Sequence, residues 1–115
     1  MMDKEKLRQR FLRDALPLRL GGLSATCARI SSSARESLPP QVICQLLDEA
    51  RYFIEWTAAE AEPEIAAELV QMQRLMTLWR TSWPQSGLQK SQRVLLAAQA
   101  KDWSDKALQF SGLLS

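Results

Sequence analysis

Histidine is absent from the 115 residues of this chain. Its absence excludes Ser-His and Cys-His nucleophile pairs and the imidazole ligands that zinc and di-iron sites use in helical proteins. Three glutamates, Glu60, Glu64 and Glu68, have helical spacing. A solvated acidic face explains them better than a carboxylate-only metal site, because metal sites in helical bundles ordinarily add imidazole. The sequence therefore predicts no catalytic residue, no metal site and no cofactor.

Cysteines and long apolar runs are also scarce. Cys27 and Cys44 are too far apart for a CxxC metal motif, and each lies in a helical apolar pattern, so both are predicted to be buried, reduced thiols. No uncharged run approaches the roughly 18 residues that a membrane span needs. The charged first residues lack the apolar core of a secretory signal. These features predict a cytoplasmic protein with no membrane span.

Apolar residues recur with the spacing four, three, four, three, four in four segments. The stripes are Leu16, Leu20, Leu23, Cys27, Ile30, Ala34; Ile43, Leu47, Ala50, Ile54, Thr57, Ala61; Ile65, Leu69, Met72, Met76, Trp79, Trp83; and Leu96, Ala100, Trp103, Ala107, Phe110, Leu114. A repeat of 3.5 residues is typical of helices that pack at shallow angles. We therefore predict one all-α domain over residues 1–115, an antiparallel helical bundle of three to four long helices.

Several residues mark predicted helix boundaries. Asp3 is a candidate N-cap for the first helix, and Ser37 is a candidate N-cap for a helix that begins at the two following prolines. Ser86 and Gln89 have the spacing of a capping box. Gly112 suits a left-handed stop for the last helix.

Two prolines leave alternatives open. Pro17 either kinks the first helix or begins a second one. Pro63 either starts a separate helix, which gives a four-helix bundle, or kinks one helix from residue 40 to about residue 83. The long helix would expose an apolar stripe and would require a dimer to cover it. The break at Pro63 is slightly favoured, because proline suits a first helical position.

Charge is distributed unevenly along the chain. The net charge is +5 over residues 1–35, −7 over residues 36–70 and +4 over residues 71–115. These segments can neutralise one another when their helices pack side by side. The N-terminal bases are Lys4, Lys6, Arg8, Arg10, Arg13 and Arg19. They are interleaved with acids and lack a set of stacking aromatics, so nucleic acid is not the expected partner.

An aromatic pair lies off the apolar stripe of the second segment. Tyr52 and Trp56 are one helical turn apart, on a different face from Ile54. Such a pair is typical of partner-binding surfaces, and its acidic neighbours, among them Glu49 and Glu60, would attract a basic surface. That surface belongs either to a foreign protein or to the basic N-terminal helix of a second copy. Burial in the core of a fuller bundle is about equally compatible with the pattern.

Two glycines, Gly21 and Gly22, lie inside the first apolar stripe, where each costs about 0.5 to 1 kcal/mol relative to alanine. With Ala25 and Thr26 they form a patch of small residues. The patch predicts close packing against another helix, within the chain or across a homodimer. A phosphate-binding loop is disfavoured because no GK[ST] motif follows a strand.

Three stretches carry a resemblance to a known family: IEWTAAEAE, AAELVQMQRLMTLWRTSW and WSDKALQFSGLL. They resemble a family of short, uncharacterised helical proteins of cyanobacteria. The resemblance extends from residue 11 to the end of the chain. It implies a cytoplasmic helical protein of a photosynthetic bacterium and carries no catalytic residues.

These observations predict a non-catalytic protein–protein interaction or assembly module, with a homodimer as one option. The alternative is a nucleic-acid-binding regulator that uses the basic N-terminal helix.

Overall fold

The computed structural model describes residues 3–113 and contains no β-strand in that range. Its helices are α1 (Lys4–Leu12), α2 (Leu16–Arg35), α3 (Pro40–Thr57), α4 (Pro63–Ser86) and α5 (Lys90–Ser111), with a 3₁₀ turn (Ala58–Glu60) between α3 and α4. The prediction of an all-α fold is confirmed. The described range holds five helices, where three to four long ones were expected, because the nine-residue α1 is separate from α2.

Both ambiguous prolines begin helices. Pro17 lies in the first turn of α2, and Pro63 is the first residue of α4. A first-turn residue needs no intrahelical acceptor for its amide, so the missing proline N–H costs nothing there. The alternative of one long helix through residue 63 is therefore wrong. An exposed apolar stripe on such a helix no longer gives a reason for a dimer.

Two of the predicted boundary residues are confirmed. The Asp3 side chain accepts a hydrogen bond from the Lys6 amide at 3.1 Å, which caps α1. Gly112 ends α5 in the left-handed region, with φ of 71°. Glycine adopts that conformation without the steric cost that a Cβ atom would add.

Two other boundary predictions are wrong. Ser37 is not a cap: it turns the chain in the left-handed region with φ of 59°, and Pro39 is the N-cap of α3. Because Pro40 follows with no N–H of its own, the first turn of α3 has fewer amides to satisfy. Ser86 is the last residue of α4 rather than a cap, and α5 follows Gln89 without a side-chain cap.

The core lies where the four predicted stripes meet. Leu47, Leu69 and Leu96, one from each of three stripes, are fully buried. The two large side chains Trp83 and Trp103 are buried with them, which confirms their place in the core. Trp79 is only half-buried, and its indole N–H donates to Gln99 Oε1 at 2.6 Å. The last stripe position, Leu114, lies outside the described residues.

The α2 and α5 helices form the most extensive helix contact. Ser24 and Ser104 donate hydrogen bonds to each other's backbone carbonyl, at 2.8 and 2.9 Å, and Ser31 donates to the carbonyl of Ala97 at 2.8 Å. The residue numbers of the bonded partners increase along α2 and decrease along α5, so the two helices are antiparallel. A serine side chain is short, and its bond to the opposite backbone requires the helices to lie close together.

The glycine pair lies near α1 and near Leu113, two residues after the end of α5. A methyl group added at Gly21 would lie 3.1 Å from Leu113 Cδ1, and one added at Gly22 would lie 3.9 Å from Phe11 Cε1. The first distance is tight and the second is ordinary contact. A methyl group would therefore fit at Gly22, and only at Gly21 would it be crowded, by the Leu113 side chain of the same chain.

Because α2 packs closely on α5, the effect of an alanine-to-leucine substitution on the free energy of unfolding should depend strongly on its position in α5. Ala100 is fully buried, and Ala98 is exposed on the same helix. Ala100→Leu should lower the free energy of unfolding by about 1 to 3 kcal/mol through overpacking. Ala98→Leu should change it by less than about 0.5 kcal/mol. Urea denaturation measures both, and equal effects would mean that the two helices are not tightly packed at Ala100.

Candidate protein-binding surface

The basic flanks of the chain pair with its acidic middle segment. Within residues 3–113, four ion pairs join the segments: Arg19–Glu60 at 2.6 Å, Arg29–Glu49 at 3.8 Å, Arg80–Asp48 at 3.0 Å and Lys106–Glu68 at 4.0 Å. Each base lies outside residues 36–70 and each acid lies inside them. The predicted self-neutralisation of the three segments is therefore confirmed. It accounts for part of the charge asymmetry without any foreign partner.

The Arg19–Glu60 pair is the most intimate of these contacts. Arg19 is buried, and its guanidinium donates to both carboxylate oxygens of Glu60, at 2.6 and 3.1 Å. The hydrogen bonds, and then the positive charge, hold the pKa of Glu60 below its ordinary value of 4.5. Glu60 was a candidate contact for a foreign base, and here α2 of the same chain supplies that base.

The aromatic pair on α3 lies beside the basic helix α1. Tyr52 and Trp56 are both half-buried and stack with ring centroids 5.7 Å apart. From α1, Phe11 stacks on Phe53 with centroids 4.1 Å apart, and its ring centroid lies 6.0 Å from that of Trp56. Lys4 Nζ lies 4.3 Å from the centre of the Tyr52 ring. The structure thus places the chain's own N-terminal helix against the face that we expected to attract a basic helix.

The four candidate partner-binding residues therefore all have contacts inside the chain. Glu49 lies near Arg29 on α2, and Glu60 is held by Arg19. The break at Pro63 also separates Glu60 from Glu68, so the glutamate row does not continue along one helix. No group of three or more cysteine or carboxylate side chains suited to hold a metal ion occurs between residues 3 and 113.

A different surface, which we call the apolar end surface, lies where the α2–α3 and α4–α5 loops meet. Leu38, Leu88 and Val94 are exposed there, to 36%, 76% and 59% of their accessible areas. Two grooves adjoin at Pro40 and Leu88. The first, of 530 Å³, runs between α3 and α4 and is lined by Pro40, Gln41, Cys44, Gln45, Asp48, Arg80, Pro84 and Leu88. The second, of 500 Å³, lies between the loops and is lined by Ala34, Arg35, Ser37, Leu38, Pro39, Pro40, Gly87, Leu88, Lys90, Arg93 and Val94.

A buried arginine fixes the backbone beneath this surface. Arg93, in the first turn of α5, donates from Nε to the carbonyl of Gly87 at 2.6 Å, from Nη1 to that of Ala34 at 3.3 Å, and from Nη2 to that of Leu38. Ala34 lies in the last turn of α2, and Gly87 is the C-cap of α4. Carbonyls at helix C-termini carry partial negative charge and stabilise the buried cation. The two loops that present Leu38 and Leu88 are therefore tied to one side chain.

Gly87 lets the second loop lie directly on the core. A methyl group there would lie 2.8 Å from the Trp83 indole and 2.8 Å from the Trp83 carbonyl oxygen. Such a contact is too short for any real Cβ atom, so position 87 requires a residue without a side chain. The close packing of Gly87 on Trp83 sets the path of the chain into the exposed Leu88.

The sequence patterns did not identify Arg93 or the apolar end surface. Arg93 looks like one more base in a basic segment, and nothing in its spacing indicates that backbone carbonyls surround it. A signal did exist for the leucines. Leu38 precedes two prolines and Leu88 follows a glycine, so both were predictable as apolar residues in turns, where polar residues are usual.

Comparisons with protein-family models, with curated proteins and with solved structures find no match to this chain. The resemblance to a cyanobacterial family therefore stays a prediction. None of the helices formed by residues 3–113 combines the length and the apolar character that crossing a bilayer requires.

The Arg19–Glu60 pair predicts a pH dependence. A carboxylate whose folded pKa is depressed contributes stability above its unfolded pKa and loses that contribution as the pH falls through the folded pKa. Glu60→Gln should therefore lower the melting temperature at about pH 7, and the difference from wild type should shrink as the pH falls below 4.5 and through the lower folded pKa of Glu60. Glu55→Gln, at an exposed position without an ion pair in the described chain, is the control. An unchanged difference across this pH range, followed by circular dichroism, would contradict the pairing.

Proposed function

We propose that this chain is a non-catalytic protein–protein interaction or assembly module, and that it contacts its partner through the apolar end surface. The observation that carries the proposal is the cluster of exposed aliphatic side chains around two adjoining grooves. Single exposed leucines are ordinary, but a contiguous apolar patch beside grooves is typical of interaction sites. Leu88 is central to it, because this side chain lines both grooves.

Preorganisation supports the same proposal. Ordering a loop on binding costs free energy, typically about 0.5 to 1.5 kcal/mol for each side chain immobilised. Here Arg93 holds Leu38 and Gly87 by their carbonyls before any partner arrives. A surface fixed in this way loses less entropy when it binds. The arrangement favours recognition by a rigid platform over folding upon binding.

The Tyr52–Trp56 face is a second contact surface in this proposal, available to a partner only when α1 leaves it. Phe11 is the one buried residue of α1. A helix of nine residues has little stability of its own, so its position depends on this anchor. The carboxylates of Glu49 and Glu60 form ion pairs with Arg29 and Arg19 of α2.

Replacing Leu88 tests the proposed interaction. Leu88→Asp should abolish partner binding, because it places a charge between the two grooves, while the melting temperature stays within a few degrees. Leu78→Asp is the matched control: Leu78 is 67% exposed on α4 and lines neither groove. The measurement is quantitative co-purification from the native host with all three proteins. The proposal requires a protein retained by wild type and Leu78→Asp but lost by Leu88→Asp, and it fails if the retained proteins are the same for all three.

One observation favours nucleic-acid binding as a second candidate function. Lys6, Arg10 and Arg13 recur at helical spacing along and just beyond α1, all three are exposed, and none forms an ion pair with a described residue. Such a stripe can neutralise backbone phosphates. Because the stripe lies on the outer side of α1, it would be free while Phe11 remains docked.

The salt dependence of binding to a generic DNA duplex tests this second candidate. Neutralising about three phosphates predicts a slope of about −2 to −3 for log affinity against log salt concentration. Arg10→Gln should reduce the magnitude of the slope by about one. Binding that is undetectable at about 50 mM salt, or whose slope Arg10→Gln leaves unchanged, would rule out this role for the stripe.

A further inference from the structure

We infer that the partner of the apolar end surface is an acidic amphipathic segment of another protein, one that presents apolar side chains flanked by carboxylates. The inference rests on the proposed function and adds the chemistry of the partner. Charge, shape and backbone composition of the two grooves support it independently.

The charged residues that line the two grooves are predominantly positive. Arg35, Lys90 and Arg93 line the second groove, and no carboxylate does so among the residues that the structure describes. In the first groove Arg80 lies beside Asp48. The lining residues of both grooves therefore carry four positive charges against one negative charge. The chain as a whole has a net charge of only +2, so positive charge is concentrated here.

The single carboxylate of the grooves is already engaged. Asp48 Oδ1 accepts from Arg80 Nε at 3.0 Å and from Arg51 Nη1 at 3.0 Å. Two guanidinium groups thus share one carboxylate, which leaves an excess of positive charge at that end of the first groove. A partner base would be repelled there, whereas a partner carboxylate would find donors.

The two exposed bases have no counterion in the described chain. Arg35 and Lys90 form no ion pair and no side-chain hydrogen bond. Both border the groove whose apolar wall is formed by Leu38 and Val94. A carboxylate placed next to an apolar side chain of the partner would reach these bases while the apolar side chain entered the groove. Charge complementarity of this kind steers association and sets orientation.

The groove walls favour a partner that binds through its side chains over a partner that adds a β-strand. Pro39, Pro40 and Pro84 have no backbone N–H, so they cannot donate to an extended partner backbone. Strand addition depends on such donors, whereas an amphipathic helix binds through its apolar side chains. Because Leu88 stands between the grooves, one segment can place an apolar side chain in each.

Two synthetic helical peptides provide the probes. Both are about 14 residues long and share the same leucine positions, and their polar positions carry either glutamate or lysine. We expect the fluorescence anisotropy of the labelled glutamate peptide to report at least about tenfold tighter binding to the full chain than that of the lysine peptide, because like charges oppose the latter. Leu88→Asp should abolish this binding. The double variant Arg35→Glu, Lys90→Glu should reverse the preference.

Matched controls separate the possible outcomes. Arg74→Glu, at an exposed residue that lines neither groove, changes the net charge as much as Lys90→Glu does, and it should keep the preference for glutamate that Lys90→Glu weakens. Equal affinity of the wild type for the two peptides, or the same effect from Arg74→Glu and Lys90→Glu, would overturn the acidic partner. If Leu88→Asp still abolishes binding of both peptides in that case, the interaction surface itself stands. If neither peptide binds and sedimentation shows a wild-type dimer that Leu88→Asp dissociates, the occupant is a second copy and the inference is wrong.

Discussion

The guanidinium of Arg93 is buried where the C-terminal ends of α2 and α4 meet the beginning of α5, and no described carboxylate is paired with it. Its charge is balanced by backbone carbonyls of Ala34, Leu38 and Gly87 and by the Trp83 ring, whose centroid lies 5.7 Å from Cζ. Helix C-termini have carbonyls without intrahelical partners. One side chain thus satisfies groups from two loops, and losing it would leave buried acceptors unpaired, at about 1 to 3 kcal/mol each.

This contact connects the core to the surface that we propose as functional. The serine hydrogen bonds set how α2 and α5 lie along each other. That register brings Arg93 of α5 to the last turn of α2, from which it reaches both loops. The loops then keep the side chains of Leu38 and Leu88 exposed to solvent. A change in the helix register would therefore move the apolar end surface, although no serine of the α2–α5 contact lies on it.

Periodicity in the sequence was enough to predict the core. Leu47, Leu69 and Leu96 are buried because a helix with a 3.5-residue apolar repeat has one face to cover, and only a neighbouring helix covers it. The aromatic pair on α3 was also recognised as lying off that stripe. The helix that packs against this pair could not be predicted, because nothing in the sequence near Tyr52 distinguishes α1 of the same chain from a helix of a second copy.

Periodicity could not predict the contacts between polar groups that are distant in sequence. Ser24 and Ser104 are 80 residues apart and look like surface residues within their helices. Their burial follows from how closely two backbones approach, which no spacing along one helix encodes. Arg93 is similar, because its acceptors are carbonyls that every residue has. The candidate site was missed for this reason: its side chains are ordinary, and only their arrangement is distinctive.

Backbone order parameters from ¹⁵N relaxation of the free protein test most directly whether the apolar end surface is preformed. The amides of Leu38, Leu88 and Gln89 should have values near 0.85, like those of the helices. Arg93→Met, which keeps an unbranched stem but removes the guanidinium donors, should lower these three values and leave the middle of α2 and α5 unchanged. Values below about 0.6 for the wild-type loops, or loops equally rigid in Arg93→Met, would contradict a surface that Arg93 holds in place.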